Sequence, residues 1–365
     1  MILETHGDVC RLGYMRLIAC LAEEDTPKSF DFLASILYDF IRNIGPPQLP
    51  IKPVGIITRP VNARNYVSVA AEMNILDRKT QTLGDVGRIY VRLNSATKFL
   101  HESKQIMHEE LLTLNPVEKM LLLTTLIFAD FPFLLNTIIW ALEREEFTRM
   151  EAMNYMMEEL YPSALKSIIT KVDARKRSIV EKEIAEAEKF KMKRLSLENK
   201  SEWIKSSQYA KYRHVAPPRL EWLVDLGILK RSGRGKYSAD ERFVKCKELF
   251  EGYLKVSLKR IEEEIIKDFA PLMVPGLTKA TRLDVASMII EAYSRFTNKR
   301  SAVNLNMLER LCVFLLLERK LFSTPSMVHD VFNNLAIRFP DKMFVQRGRT
   351  GSVEVTMMDI SPSEI

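Results

Sequence analysis

Histidine and cysteine are scarce in this chain, and neither is spaced for chemistry. Five His (His6, His101, His108, His214, His329) and four Cys (Cys10, Cys20, Cys246, Cys312) are scattered over 365 residues. No C-x-x-C pair occurs, which argues against a disulfide framework or a structural zinc. Buried thiols of a protein kept in a reducing compartment are the expectation. His108-Glu109-Glu110 lacks the second His of a zinc-protease helix. Gly233-Arg234-Gly235-Lys236-Tyr237 fails as a phosphate loop, because Lys230 stands where the first Gly belongs and Tyr237 where Ser or Thr is needed. Gly84-Asp85-Val86-Gly87 lacks the third Gly of a dinucleotide loop. Glu318-Arg319-Lys320 has the E-x-K form of some nucleases without an acidic partner before it, and Pro340-Asp341 is followed by Glu354-Val355-Thr356, where a catalytic Lys belongs. The sequence reads as a non-enzyme without metal or cofactor.

Glycine (13) and proline (16) are too few for a disordered or fibrous chain. The composition, 47% hydrophobic and 28% charged, is ordinary for a globular protein, and the length implies two or three domains. The opening MILETHGDVCRLGYMRL has no basic leader, so a cytoplasmic location is expected. A single long apolar run, Met120–Leu142, matches the roughly 20 residues of a membrane span. Asp130, Pro132 and Asn136 interrupt its middle. A central Asp is costly in lipid and Pro breaks a helix, so two buried helices and no membrane contact are expected.

The net charge of +7 is uneven. Residues 161–270 hold 26 Lys+Arg against 17 Asp+Glu, whereas the rest of the chain is slightly acidic. A concentrated excess makes a local field for polyanions.

Helical periodicity marks residues 28–44, with Phe30, Leu33, Ile36, Leu37, Phe40 and Ile41 on one face before Gly45-Pro46-Pro47. A second helix is expected over 62–76, N-capped by Asn62, and a strand over Arg88–Leu93. Residues 116–160 read as three helices ending at Tyr161-Pro162. The Glu/Lys-rich stretch 162–211 reads as an exposed helical connector. A charged helix over roughly 240–268 follows, ending before Pro271, then helices near 281–296, 304–319 and 325–338 and a hairpin at 343–358.

Two segments end their helices alike. Met73-Asn74-Ile75-Leu76-Asp77-Arg78 aligns with Leu226-Gly227-Ile228-Leu229-Lys230-Arg231. Asn and Gly tolerate positive φ, so each helix can close in a left-handed cap before Ile-Leu starts a strand and a charged, Gly-containing turn follows. This order resembles the winged-helix family, a helix-turn-helix variant with a β-hairpin wing, over roughly 50–95 and 200–245. The resemblance implies a helix for the major groove and a wing for backbone or minor groove. A third candidate, LNMLERLCVFLLLERK and TPSMVHDVFNNLAIRF before MFVQRGRTGSVEVTMM, lacks the Gly/Asn-Ile-Leu signature.

The fold class expected is therefore mainly α with short β-hairpins, as tandem winged-helix-like domains joined by a charged helical connector. The divisions are 1–100, an N-terminal winged-helix-like domain; 101–161, a helical extension; 162–211, the connector; 212–270, a second winged-helix-like module; and 271–365, a helical domain with a terminal hairpin. Candidate nucleic-acid contacts are Arg64, Asn65 and Ser68 on the first helix and Arg78 and Lys79 after it. Arg219 belongs to the second helix, where Glu221 and Asp225 would repel a DNA backbone. Arg231, Arg234 and Lys236 belong to its wing, and Arg347 and Arg349 to the last hairpin. The function expected is duplex DNA binding, as a transcription regulator or a DNA-engaging subunit of a larger complex. The alternative is a scaffold, or homodimer, whose winged helices bind proteins.

Overall fold

Capping chemistry sets the first helices of this computed structural model, which describes residues 7–24, 26–46, 54–96, 106–169, 174–196, 200–206, 209, 214–297, 301–348, 351–358 and 360. Helix α1 (Gly13–Leu21) precedes α2 (Phe30–Ile44), whose Ser29 hydroxyl accepts the Phe32 N–H. Helix α3 (Pro60–Glu72) packs on α2, and Pro60 opens it. Asn62 is therefore not the N-cap. It lies one turn in, and its carboxamide oxygen accepts the Thr58 and Arg59 N–H groups.

After α3, Asn74 adopts the expected left-handed conformation (φ 55°). The hairpin does not follow. A single bridge, Leu76 to Leu83, closes a loop in which the Asp77 carboxylate accepts the Lys79 and Thr80 N–H groups. The strand expected over Arg88–Leu93 is instead the end of helix α4 (Asp85–Tyr90) and the turn after it. Ile89, Val91 and Leu93 alternate as a strand would, but Val86, Ile89, Tyr90 and Leu93 also fit helical spacing, and all four of these are buried. Short apolar runs carry both periods, and packing decides. Gly87 permits it: a Cβ there would lie 2.1 Å from the Ile75 carbonyl oxygen.

Helix α5 (His108–Leu112) leads to the apolar pair, α6 (Pro116–Ala129) and α7 (Phe133–Leu142). Asn115 and Glu118 cap α6 reciprocally. The two helices bend by 117° at Asp130–Pro132, and among the described residues no single helix is long and apolar enough to cross a membrane. Strand β1 (Phe147–Thr148) runs into α8 (Arg149–Tyr155), capped by Thr148. A π-helical turn (Met156–Leu160) follows, and Pro162 sits in the first turn of α9 (Tyr161–Ile168) rather than ending a helix. The charged helix α10 (Ala174–Ser196) is less exposed than its composition suggests. Val180, Ala187 and Phe190 form a buried seam, and the helix packs on α9 and the π turn.

Beyond the short α11 (Lys200–Ile204) comes α12 (Ala216–Leu226), which ends at Gly227 (φ 80°) as expected. Strands β2 (Leu229–Gly233) and β3 (Lys236–Ala239) pair antiparallel, and β1 joins them in the order β1–β3–β2. The charged helix expected over 240–268 is three pieces, α13 (Glu241–Val244), α14 (Lys247–Tyr253) and α15 (Leu258–Met273), and α15 carries Pro271 within its last turn.

The C-terminal part follows the expected boundaries closely. Strand β4 (Thr278–Lys279) precedes α16 (Arg282–Phe296), β5 (Val303–Asn304), α17 (Leu305–Glu318) and β6 (Leu321–Phe322), which pairs parallel with β4. Helix α18 (Pro325–Arg338), capped by Thr324, leads to the hairpin β7 (Met343–Arg347) and β8 (Val353–Met357), and the sheet order is β5–β8–β7. Apart from β4 and β6, which pair with each other, the order α16–β5–α17–α18–β7–β8 of the C-terminal part (residues 278–358) repeats the order α7–β1–α8–α12–β2–β3 of the middle part (residues 116–273): helix, strand, helix, helix, strand, strand. In the middle part, residues 156–215 separate the second helix from the third. One contiguous cluster of buried apolar side chains runs from Val9 to Ile360 and joins all of these parts.

Candidate nucleic-acid interface

Three helices stand where the sequence suggests a nucleic-acid-reading element, and their surroundings differ. On α3 the inner side, with Ala63, Tyr66, Val67 and Ala70, is buried. Arg64 is exposed and pairs with Asp31 at 3.0 Å. Asn65 donates to both Asp8 carboxylate oxygens at 3.1 and 3.2 Å, so it anchors the N-terminal segment. Ser68 is half-buried. Arg78 pairs with Glu72, whereas the Lys79 side chain is exposed.

Helix α12 is interior on every side. All its residues except Val224 are buried, and Arg219 is fully so. The Arg219 guanidinium donates to both Asp130 oxygens at 2.6 and 2.8 Å and to the Val215 carbonyl, and it lies 4.4 Å from the Phe133 ring centre. The expectation that Arg219 meets nucleic acid is corrected: it holds α12 to the α6–α7 bend. Glu221 and Asp225 are not surface acids either. Glu221 accepts from the Tyr237 hydroxyl at 2.7 Å and pairs with Arg149 and Arg231. Asp225 pairs with Arg11 at 2.8 Å and accepts the Leu12 N–H, while the Trp222 indole N–H donates to the Val9 carbonyl. Burial pushes the Asp225 carboxyl up to about 7, against the pull of Arg11 and the Leu12 N–H.

The β2–β3 hairpin is consequently restrained. Arg231 is tied to Glu221, and Lys236 pairs with Glu146 at 3.2 Å. Arg234, beside Gly235 (φ 70°) at the turn, is exposed and has no ion-pair partner among the described residues. The basic excess also lies mostly elsewhere. Residues 161–215 hold 14 Lys+Arg against 7 Asp+Glu, whereas 216–270 hold 12 against 10.

Helix α18 presents the contrasting case. Val328, Val331, Phe332 and Leu335 bury one side. Ser326 bonds Glu263, and the His329 Nδ1 lies 2.7 Å from Glu309, so neighbouring helices fix its first turns. The opposite side carries Asp330, Asn333, Asn334 and Ile337, all exposed, with Ile337 78% exposed, and Arg338, also exposed, stands at its edge with the guanidinium 5.2 Å from the Phe339 ring centre. A groove of about 310 Å³ between α16 and α18 is lined by Arg282, Leu283, Asn334 and Arg338 among others. Arg347, at the end of β7, is exposed with no ion-pair partner among the described residues; Arg349 lies outside them. The stretch 278–358 carries 12 Lys+Arg against 7 Asp+Glu.

Asn333, Asn334, Ile337 and Arg338 are not among the residues singled out from the sequence. Their signal is present in it, because Asn333, Asn334 and Ile337 fall opposite the 328/331/332/335 apolar stripe at helical spacing, with Arg338 at its edge. No group of three or more His, Cys, Asp or Glu positioned for a metal occurs among the described residues. No family model, curated protein or solved structure matches this chain.

Proposed function

We propose that this protein binds duplex DNA through its C-terminal part, with α18 in the major groove and the β7–β8 hairpin along the backbone. The observation that carries the reading is the open side of α18. Asn is suited to adenine, Arg to guanine and Ile to the thymine methyl, and one helix face offers all three. The order α16–β5–α17–α18–β7–β8, interrupted only by the two-residue strand β6 between α17 and α18, supports a winged-helix relationship together with the sheet order β5–β8–β7. So does the β1–β3–β2 sheet of the middle part, whose buried α12 suits it to an architectural role instead. Arg347 supplies a backbone contact from the hairpin. The role that follows is a transcription regulator or the DNA-engaging subunit of an assembly.

A titration of labelled duplexes at about 50 and 200 mM salt tests this. At least a tenfold loss of affinity is expected at the higher salt, as several phosphate contacts require. The rival reading, a protein-binding scaffold, is favoured by exposed Phe344 and Val345 on the open edge strand β7. Absence of a complex at micromolar protein and low salt would overturn the DNA reading and favour that rival.

A further inference from the structure

The first, middle and C-terminal parts meet around a cavity of about 330 Å³ that the DNA reading does not use. Its walls come from the end of α3 and its cap, from α4, α6 and α15, and from Arg310 of α17. Met73, Val86 and Thr125 form buried wall, and Leu258 stands partly exposed. The volume falls at the lower end of the range for small-molecule sites, about 300–1,000 Å³.

Two features mark it as more than a packing defect. Phe128 is 57% exposed and lines the cavity, although between Val117 and Ala129 it is the sole exposed residue of α6. A large aromatic ring left open on an otherwise buried helix has a face to offer. The second feature is charge. Glu72 and Glu262 line the cavity with one cation, Arg310. Glu72 pairs with Arg78 and Glu262 with Arg310, each through Oε1. The second oxygen of each carboxylate has no hydrogen-bond partner among the described residues, so acceptor capacity for a further donor remains.

An aromatic face, two acceptor carboxylates and apolar wall together select a cation with an apolar body. Although Arg78 and Arg310 balance the two acids in charge, each carboxylate keeps an oxygen able to accept from an ammonium and to repel an anion, and a purely apolar ligand would strip water from both carboxylates without compensation. We propose that this cavity is a binding site for a small organic ammonium ion, with the ammonium between Glu72 and Glu262 and the apolar body against Phe128 and Leu258. Because walls from all three parts surround it, such a ligand would favour their present arrangement.

Calorimetric titration of the full chain with tryptamine and with indole-3-propionate tests this, since the two share a ring system and differ in the sign of their charge. Tryptamine should bind with a dissociation constant below about 1 mM and indole-3-propionate at least roughly tenfold more weakly. Glu72→Gln and Glu262→Gln keep the side-chain shape, and each should weaken tryptamine severalfold. Phe128→Leu, which retains apolar area without the ring, should weaken it too. Equal binding of the two ligands, no binding of tryptamine, or indifference to both Gln variants would overturn the proposal. None of these readouts involves DNA, so the two proposals fail separately.

Discussion

The arginines named from the sequence divide by what each touches. Arg219 and Asp130 are both fully buried and joined by two short hydrogen bonds. Removing one partner of such a pair leaves a charge in the core, so Arg219→Ala should cost about 3–5 kcal/mol in urea unfolding. Arg64, exposed and paired with an exposed Asp31, should cost less than about 1 kcal/mol on the same change. Sequence cannot separate these two residues, because an Arg in a charged segment looks the same whether its partner is solvent or an aspartate 89 positions away.

Asp225 supplies a pH test at the same scale. Its folded carboxyl titrates near 7, against an ordinary 3.8. Between roughly pH 4 and 7 the unfolded chain ionises this group while the folded chain holds its proton, so stability falls as pH rises through that window and levels off above it. Urea midpoints across this range should fall more steeply for the parent than for Asp225→Asn. The variant carries a neutral side chain of similar shape at every pH in this range, so the slope is the readout. Parallel slopes would remove Asp225 from the explanation.

Elements were legible where one period dominated. The left-handed positions Asn74 and Gly227, and the helices and hairpin of 281–358, fall where periodicity and turn chemistry put them. Periodicity does not suffice where distant packing decides, as at α4, whose place beneath Ile75 depends on the missing side chain of Gly87. The two hairpins differ in what holds their cations. In the hairpin with the stronger sequence signature, 229–239, Arg231 and Lys236 are engaged by acids, whereas Arg347 is free of any described partner. Arg347→Ala should lower the salt-dependence slope of DNA binding by about one. Arg231→Ala should leave that slope unchanged and instead reduce stability, because Glu221 stays buried with one cation fewer. Slopes measured over four salt concentrations distinguish these outcomes.

Across the whole molecule, a single core links the three parts, and of the three candidate reading helices only α18 combines an open polar side with a following hairpin. The middle part holds the others together: α12 anchors the N-terminal segment through Asp225 and Trp222 and the α6–α7 bend through Arg219. Its basic excess, concentrated in 161–215, adds a diffuse attraction for polyanions that carries no sequence information. Selection of duplexes from a randomised library compares the candidate surfaces directly, using the parent, the Asn333→Ala/Asn334→Ala/Arg338→Ala variant and the Arg64→Ala/Asn65→Ala variant, each checked for folding by circular dichroism. The α18 variant is expected to lose discrimination at a few adjacent base pairs, about 1–3 kcal/mol for each lost contact, while the α3 variant selects the parent's sequences. Unchanged preferences in the α18 variant together with altered ones in the α3 variant would contradict the assignment of DNA reading to the C-terminal part.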